Sequence, residues 1–351
     1  MKICVLFLCG ASLLAQGWGR REMMRPWLEG RFVEAEQHFT QFRQVMWVTG
    51  QFRFLWEADF NIELARFGRA ASLIGEAKRV TGRDPEDATD RRLARLYCST
   101  GRFAEAWNVA LEGRQWDGRD VLKLKVSSPM LLQTLGEVLL ARGEFATAVA
   151  VLEKARAKAK NVSAEYGFEW VRAQNGIAIA NLGLGSVQAA SEVATLALSE
   201  AEREWGPASI PAMDVADTIG LIRLSQSGLD EAEASLSRSR KRREEMYGPD
   251  HPKVGESYRH AALLSAARKD TAGAVLMMSH GLDIERALAM EPHGRWALAL
   301  LSGAELFGRA GRVEDAARLY EVAIPVLERE LGQAAPRLVN ARERQSALAR
   351  K

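Results

Sequence analysis

The sequence predicts an all-α chain built from repeated pairs of antiparallel helices. Three observations lead to this prediction: similar segments recur every 42 residues, small residues recur at two fixed positions of each repeat, and the apolar residues between them follow helical spacing. Small residues let two helix backbones approach closely, because a larger side chain at the contact would push the helices apart. Each pair is therefore expected to bury its apolar face against the neighbouring pairs.

The period is set by residues 100–106, 142–148 and 310–316, which have similar sequences. Glycine suits the turn between two helices because it adopts a positive φ without steric cost. Extending the period without a gap places the turn at Gly101, Gly143, Gly185, Ser227, Lys269 and Gly311, of which the serine and the lysine predict weaker caps. Alanine stands five residues after every one of these turns, at Ala106, Ala148, Ala190, Ala232, Ala274 and Ala316. Glycine or alanine stands seven residues before them, at Ala94, Gly136, Ala178, Gly220, Ala262 and Ala304.

The first two repeats depart from this period. Residues 30–35 match the turn segment, but Pro26 is expected to interrupt the preceding helix. The next glycine, Gly68, lies 38 residues further on, with Leu73 where alanine is expected, and Gly101 follows after another 33. The sequence therefore predicts seven to eight repeats, of which the first two are irregular.

Tryptophan is unusually dense in this irregular part, at Trp18, Trp27, Trp47 and Trp56. We interpret these side chains as core filling, with an exposed contact patch as the alternative. At the other end of the chain, residues 334–350 begin near Pro336 and contain several charged residues, which is typical of a helix that caps the last repeat.

Residues 1–17 are predicted to be a secretory signal peptide, because a short apolar run follows Lys2 and small residues stand at Ala15 and Gly17. The run is too short to span ~30 Å of hydrocarbon as a helix, so no membrane span is expected. Export would make the protein periplasmic or secreted. The cytoplasm is the alternative, because arginines outnumber Lys2 just after the run and positive charge tends to stay inside.

The whole-chain charge argues against nucleic acid as a partner. The chain has 48 lysine and arginine residues against 45 aspartate and glutamate residues, which leaves a net charge of only +3. The most basic stretch contains Arg238, Arg240, Lys241, Arg242 and Arg243, and two glutamates follow it directly. We interpret it as a solvated helix face, with contact to an anionic surface as the alternative.

No catalytic or metal-binding pattern is visible. The chain lacks HExxH, Walker and GxSxG motifs, and none of its five histidines pairs with histidine or cysteine at zinc-site spacing: His38, His251, His260, His280 and His293. The expectation is a protein that is not an enzyme and holds neither cofactor nor metal. His251, in a Gly-Pro-Asp-His-Pro linker, is interpreted as a cap for the next helix.

The pattern of small residue, turn and small residue resembles the tetratricopeptide repeat over roughly residues 30–332. The 42-residue period and residues 245–252, Glu-Met-Tyr-Gly-Pro-Asp-His-Pro, are similar to the long-repeat variety typified by kinesin light chains and many bacterial proteins. The resemblance implies a right-handed superhelical α-solenoid. Its predicted division is a signal peptide at 1–17, the repeat array at 18–332 and a capping helix at 333–351.

In that family the first helix of each pair lines a concave groove that holds an extended peptide or a partner's helix. The resemblance implies that the positions ten and six residues before each turn face the groove. They are Arg91 and Arg95, Gln133 and Glu137, Asn175 and Ile179, Asp217 and Leu221, Arg259 and Leu263, and Leu301 and Glu305. Arg91, Arg92 and Arg95 could hold an acidic group, and Asp214, Asp217 and Glu256 form an acidic counterpart. The alternative is that these are exposed helix charges of little energetic weight.

Three functions remain open at this point. The leading hypothesis is a non-enzymatic scaffold that binds an extended or helical protein segment of unknown identity in the groove. The second is a structural accessory of a bacterial envelope or secretion complex that docks through its Trp-rich end. The third is a regulatory module for a separately encoded enzyme, or a hydrolase whose site is not recognisable. The oligomeric state is not indicated by the sequence.

Overall fold

The computed structural model describes residues 20–45, 52–81, 88–111, 128–161, 167–287 and 293–350, together with positions 123 and 126. Within these residues all regular structure is helical, which confirms the predicted all-α fold. The predicted signal peptide, Trp18 and Trp47 lie outside the described residues.

The helices follow one another in antiparallel pairs. In chain order they are α1 Arg20–Leu28, α2 Phe32–Val45, α3 Phe52–Glu63, α4 Phe67–Thr81, α5 Ala88–Ser99, α6 Phe103–Leu111, α7 Pro129–Arg142, α8 Phe145–Asn161, α9 Gly167–Gly183, α10 Val187–Trp205, α11 Ile210–Ser225, α12 Leu229–Tyr247, α13 Pro252–Ala267, α14 Thr271–Ala287, α15 Gly294–Arg309, α16 Val313–Leu331 and α17 Pro336–Leu348. The first sixteen form eight pairs, and α17 packs against α16 at the end of the array.

A residue with positive φ lies between the helices of each pair. These residues are Gly30, Ala65, Gly101, Gly143, Gly185, Ser227, Lys269 and Gly311, with φ between 54° and 81°. Ser227 and Lys269 make the same turn as the glycines: the next N–H in each case donates to a carbonyl five residues back, at 2.9 Å. These two caps therefore keep their hydrogen bonds. What can weaken them is the backbone strain of a non-glycine residue at positive φ.

The predicted turn at Gly68 is wrong. Gly68 lies inside α4 and is exposed, and the turn residue is Ala65. Ala70 follows five residues later and is fully buried, so the second repeat obeys the alanine rule. The turn was missed because it carries alanine where glycine is the usual signal.

The interruption expected at Pro26 does not occur either, because α1 continues through this residue to Leu28. Only two residues of the helix follow the proline, and its carbonyl accepts from the Arg31 N–H at 2.7 Å in the turn. Trp27 is fully buried, with its ring 6.0 Å from that of Phe60 and 6.1 Å from that of Phe168. The core-filling interpretation is therefore confirmed for Trp27, and Trp56 is half-buried.

The small residues lie where neighbouring helices touch. All six alanines that follow the regular turns are buried, with at most 1% of the side chain exposed. A Cβ atom on Gly136 would lie 2.4 Å from Leu152, and one on Gly220 would lie 2.6 Å from Leu236. Such distances are impossible for real side chains, so these helix contacts have no room for anything larger than glycine.

The array coils tightly enough for its later pairs to touch its earlier ones. The Gly294 N–H donates to the Gly101 carbonyl at 3.0 Å, and the Arg337 Nη2 atom donates to the Leu140 carbonyl at 3.0 Å. Each contact joins a helix pair to the fifth pair after it, with α17 in the place of a ninth pair. A Cβ atom on Gly101 would lie 2.3 Å from the Arg295 backbone nitrogen, so this approach requires glycine.

The coiling places the first helix of each pair on the inside. These helices also contact the first helices of the neighbouring pairs, and together they form a continuous inner wall. No described helix has both the length and the apolar character that crossing a membrane requires.

Candidate functional site

The inner wall surrounds a cavity of about 580 Å³, which we call the central chamber. Residues of α3, α5, α7, α9, α11, α13 and α15 line it, together with the start of α17. Eight of the positions predicted for the groove lie in this wall: Arg95, Gln133, Glu137, Asn175, Ile179, Leu221, Arg259 and Leu263. The inner face of the array is therefore a central chamber that later helix pairs help to close.

Four of the predicted groove positions do not line the chamber. Arg91 is half-buried, and it is its neighbour Arg92 that contacts the preceding repeat, through Asp59. Asp217 is 3% exposed and Leu301 is also buried, so both lie behind the wall. Glu305 is paired with Arg344 of α17, which packs over the end of the array.

The first feature of the wall is a pair of buried arginines held by one aspartate. Arg92 Nε and Arg95 Nη1 donate to the two oxygens of Asp59 at 3.1 and 3.0 Å. All three side chains are at most 6% exposed. The acidic group that these arginines were predicted to hold thus belongs to the same chain.

Asp59 was missed by the sequence reading, and a signal for it existed. With the turn at Ala65, Asp59 stands six residues before it, which is one of the two groove positions of the regular repeats. Because the turn of this repeat was placed at Gly68, no groove position was assigned to it and Asp59 was not recognised.

Glu63, at the end of α3, joins the second helix pair to the sixth and seventh. Its carboxylate accepts from Tyr247 Oη at 2.8 Å and from Lys253 Nζ at 2.7 Å, and lies 3.7 Å from Arg95 Nη2. Its backbone carbonyl lies 3.1 Å from His251 Nε2. We call Glu63, Tyr247, His251 and Lys253 the closure cluster, because it connects residues separated by more than 180 positions.

Arg243 holds the next part of the wall together. Its guanidinium donates to Asp214 at 2.9 Å, to Asp217 at 3.2 Å and to Ser257 Oγ at 2.8 Å. His260 Nδ1 lies 2.7 Å from the same Asp217 oxygen. The interpretation of residues 238–243 as a solvated face is therefore wrong for Arg243, which is 3% exposed. Its position on α12 points it away from solvent and toward α11 and α13.

Lys253 joins the two groups of charges, because its Nζ lies 2.8 Å from Asp214 as well as 2.7 Å from Glu63. Burial alone raises the pKa of a carboxyl group, yet the pKa of Glu63 is held below its usual range by Lys253 and Arg95. Burial lowers the pKa of Lys253, but Asp214 and Glu63 overcome this effect and raise it. Glu63 and Lys253 therefore stay ionised around neutral pH.

His251 caps α13, as predicted. Its Nδ1 accepts from the Lys253 backbone N–H at 3.2 Å, so in the neutral ring Nε2 carries the proton and donates to Glu63. The ring stacks on Tyr247 with centroids 4.2 Å apart. Burial, only partly offset by Glu63, lowers the pKa of His251 to about 4. His293 caps α15 in the same way, by accepting from the Trp296 N–H.

Two smaller groups complete the polar wall. Glu137 accepts from Arg172 at 2.6 Å, from Gln133 at 2.9 Å and from the Cys98 thiol at 3.5 Å. Burial and the nearby Glu137 raise the pKa of Cys98 well above its ordinary value, which keeps it a neutral thiol. On the other side, Arg259 donates to Glu285 at 3.0 Å.

Comparison with known proteins gives the fold. A Rap protein complexed with competence and sporulation factor matches with a TM-score of 0.60 and 12% identity, over 84% of this chain and 86% of that one. The Cut9–Hcn1 hetero-tetramer of APC/C matches with a TM-score of 0.55 and 10% identity, over 91% of this chain and 57% of that one. The fold is tetratricopeptide-like. No protein-family model matches the sequence, and no curated protein does either.

The tetratricopeptide-like wall leaves several polar groups without a partner among the described residues. They include the buried side-chain oxygens of Gln133 and Asn175 and the Arg337 Nε atom. The guanidinium of Arg295 and the carboxylate of Glu256 also line the chamber and have neither an ion pair nor a hydrogen bond to these residues. No set of three or more histidine, cysteine, aspartate or glutamate side chains within the described part of the chain is arranged to hold a metal ion. The wall can therefore offer both hydrogen-bond donors and acceptors to a molecule in the chamber.

Proposed function

We propose that this chain is a non-catalytic interaction module that binds a protein segment in its central chamber. The observation that carries the proposal is the convergence of eight polar and apolar groove positions, from different helix pairs, on one cavity of about 580 Å³. Cavities of roughly 300–1,000 Å³ suit ligands of small-molecule or short-peptide size. The bound part is therefore a short extended stretch, since a helix with side chains is ~10–12 Å wide.

The comparisons support an interaction role without naming the partner. One protein of the same fold is complexed with competence and sporulation factor, and the other forms a hetero-tetramer with Hcn1. The alternative role as an envelope or secretion accessory that docks through its tryptophans has less support, because Trp27 is fully buried in the core. A regulatory module for a separate enzyme is compatible with the same chamber.

The test fills the chamber without breaking an ion pair. Ile179 lies in the wall with 37% of its surface exposed, and Leu196 lies outside the chamber on the next helix with 54% exposed. We expect Ile179→Trp to lose the proteins that the wild-type full chain captures from a lysate of its source, as identified by mass spectrometry. Leu196→Trp is the matched control and should retain them. Equal capture by both variants would place the interaction elsewhere.

Export remains part of the proposal. Fusing residues 1–25 to a reporter that is active only after translocation should give activity if residues 1–17 direct secretion. Activity that appears only in the cytoplasm would favour the alternative compartment.

A further inference from the structure

The ion pairs of the chamber wall leave two arginines and one glutamate without an ion-pair partner among the described residues. Arg92, Arg95, Lys253 and Arg243 are balanced by Asp59, Glu63, Asp214 and Asp217 in one connected network. Arg172 is balanced by Glu137, and Arg259 by Glu285. Three charged residues that line the chamber have no ion pair within the described part of the chain. Arg337 donates to the Leu140 carbonyl, whereas Arg295 and Glu256 have no hydrogen bond either.

Arg295 stands in the first turn of α15 and lines the chamber. None of the carboxylates in the described residues lies within 4.0 Å of its guanidinium, and it has no hydrogen bond to them. Burial alone would lower its pKa, but Glu285 and Glu256 raise it, so carboxylates are near and still not in contact. A guanidinium has five N–H donors in a planar fork that fits a carboxylate.

Glu256 stands on α13 and is half-buried in the same wall. Arg243 and His260 are close enough to lower its pKa against the effect of burial, yet both are hydrogen-bonded to Asp217 instead. The carboxylate has no ion pair or hydrogen bond within the described residues. Near neutral pH it is therefore a charged acceptor that faces the chamber.

We infer that the ligand of the central chamber carries one carboxylate, which binds Arg295, and one cationic nitrogen, which binds Glu256. This inference rests on the proposed function and specifies the chemistry of the bound segment. A partly buried charge that faces a cavity without a partner is costly, so a ligand that supplies both partners gains two charge-assisted hydrogen bonds. The acceptor oxygens of Gln133 and Asn175, both buried and unpartnered, would take N–H groups of the same ligand.

Two sources supply this chemistry. An internal protein segment would supply it as an acidic and a basic side chain, whereas a short free peptide would supply it as its two chain ends. An extended chain advances ~3.3–3.6 Å per residue, so a few residues suffice to reach across a cavity of this size.

The experiment uses five pools of synthetic tetrapeptides and the full-length chain at low ionic strength. Four pools are acetylated and amidated and are built on alanine, serine and leucine. The first also contains one Glu and one Lys, the second only Glu, the third only Lys, and the fourth no charged residue. The fifth has free ends and no charged side chain. Equilibrium dialysis followed by mass spectrometry measures enrichment, and pools that carry both charges, on side chains or on ends, should be retained about ten-fold or more over the neutral blocked pool.

The variants assign each charge. Arg295→Gln should abolish the preference for a carboxylate while keeping that for a cation, and Glu256→Gln should do the reverse. Arg286→Gln and Glu192→Gln, which change exposed side chains outside the chamber, are the matched controls and should keep the wild-type profile. If circular dichroism shows that either glutamine variant is unfolded, Arg295→Lys and Glu256→Asp replace it and should keep the charge preference with a lower enrichment.

Three results would overturn the inference. They are equal retention of charged and neutral pools by the wild type, retention of pools with a single charge at the level of pools with both, and a glutamine variant with the wild-type profile. The proposed function fails separately. If Ile179→Trp loses its partner proteins while the charge variants keep them, the chamber binds a segment and only the ligand chemistry assigned here is wrong.

Discussion

The charges of the inner wall and those of the outer surface are made of the same residue types but differ in burial and in the number of their partners. On the outside, Arg203 and Arg286 have 65% and 72% of the side chain exposed and pair with acids three positions away or next in sequence. On the inside, Arg243 is 4% exposed and contacts two aspartates and a serine from other helices. The comparison teaches that coiling, rather than residue type, decides which charges carry energetic weight in this chain.

The largest expected effect comes from removing the buried cation that joins α11, α12 and α13. Arg243→Met should lower the free energy of unfolding by about 3–5 kcal/mol, because the buried Asp217 would lose its arginine partner and the half-buried Asp214 would keep only Lys253. Arg286→Met on the outer surface should leave the denaturant midpoint unchanged within error. Similar shifts in the two urea titrations would remove the difference between the inner and outer charges.

The second effect is a pH dependence that belongs to the closure cluster. His251 has a pKa of about 4 when folded against an ordinary value of 6.5, so the unfolded chain binds the proton first as the pH falls. Stability is then complete above about pH 6.5 and should decrease toward pH 4 by roughly 2–3 kcal/mol. His251→Asn, which preserves a capping side chain, should flatten this part of the curve.

The control for this measurement is His280, which is exposed on α14. His280→Asn should retain the wild-type loss of stability between pH 6.5 and 4. A wild-type melting temperature that stays constant across this window would contradict the assignment of a neutral, buried His251.

The third effect separates the helix contacts from the outer face on a single helix. Ala232 is fully buried on α12, and Ala234 is exposed two residues later. Ala232→Leu should overpack the contact and cost about 1–3 kcal/mol, whereas Ala234→Leu should be close to neutral. Equal thermal shifts for the two variants would mean that the phase of the repeat is wrong.

The smallest effect concerns the turns, where the inner and outer helices meet. Lys269 has a φ of 64°, and replacing it with glycine should raise stability by about 1 kcal/mol, because the strain of a side chain at positive φ is relieved. The reverse change, Gly185→Ala, should lower stability by a similar amount. No atom lies within 4 Å of the added Cβ there, so only the backbone strain is measured. A loss of stability in Lys269→Gly would show that its side chain contributes more than the strain costs.

Much of the fold could be predicted from the sequence because the repeat is local. The spacing of turns and alanines from Gly101 to Ala316 needs no knowledge of distant contacts, and it places the inner helices correctly. The second repeat was misread because Ala65 makes the turn without a glycine. That local error hid Asp59, the acid that holds Arg92 and Arg95.

The pairing inside the chamber could not be predicted. Contacts such as Tyr247 with Glu63 depend on the small rotation between successive helix pairs, which accumulates over four to five repeats before the chain meets itself. No residue type in a single repeat indicates how large that rotation is. The sequence therefore predicted Arg95 and Asp217 as groove charges, while their partners on other helices emerged only from the structure.

The contacts between each pair and the fifth pair after it have a consequence for how such a chain can change its length. An open stack of repeats can gain or lose one unit and keep every other interface. Here, removing one 42-residue unit from between Leu140 and Tyr247 would misalign the closure cluster, the Gly101–Gly294 approach and the Arg337 contact together. The contacts between distant pairs therefore fix how many repeats the chain has between them.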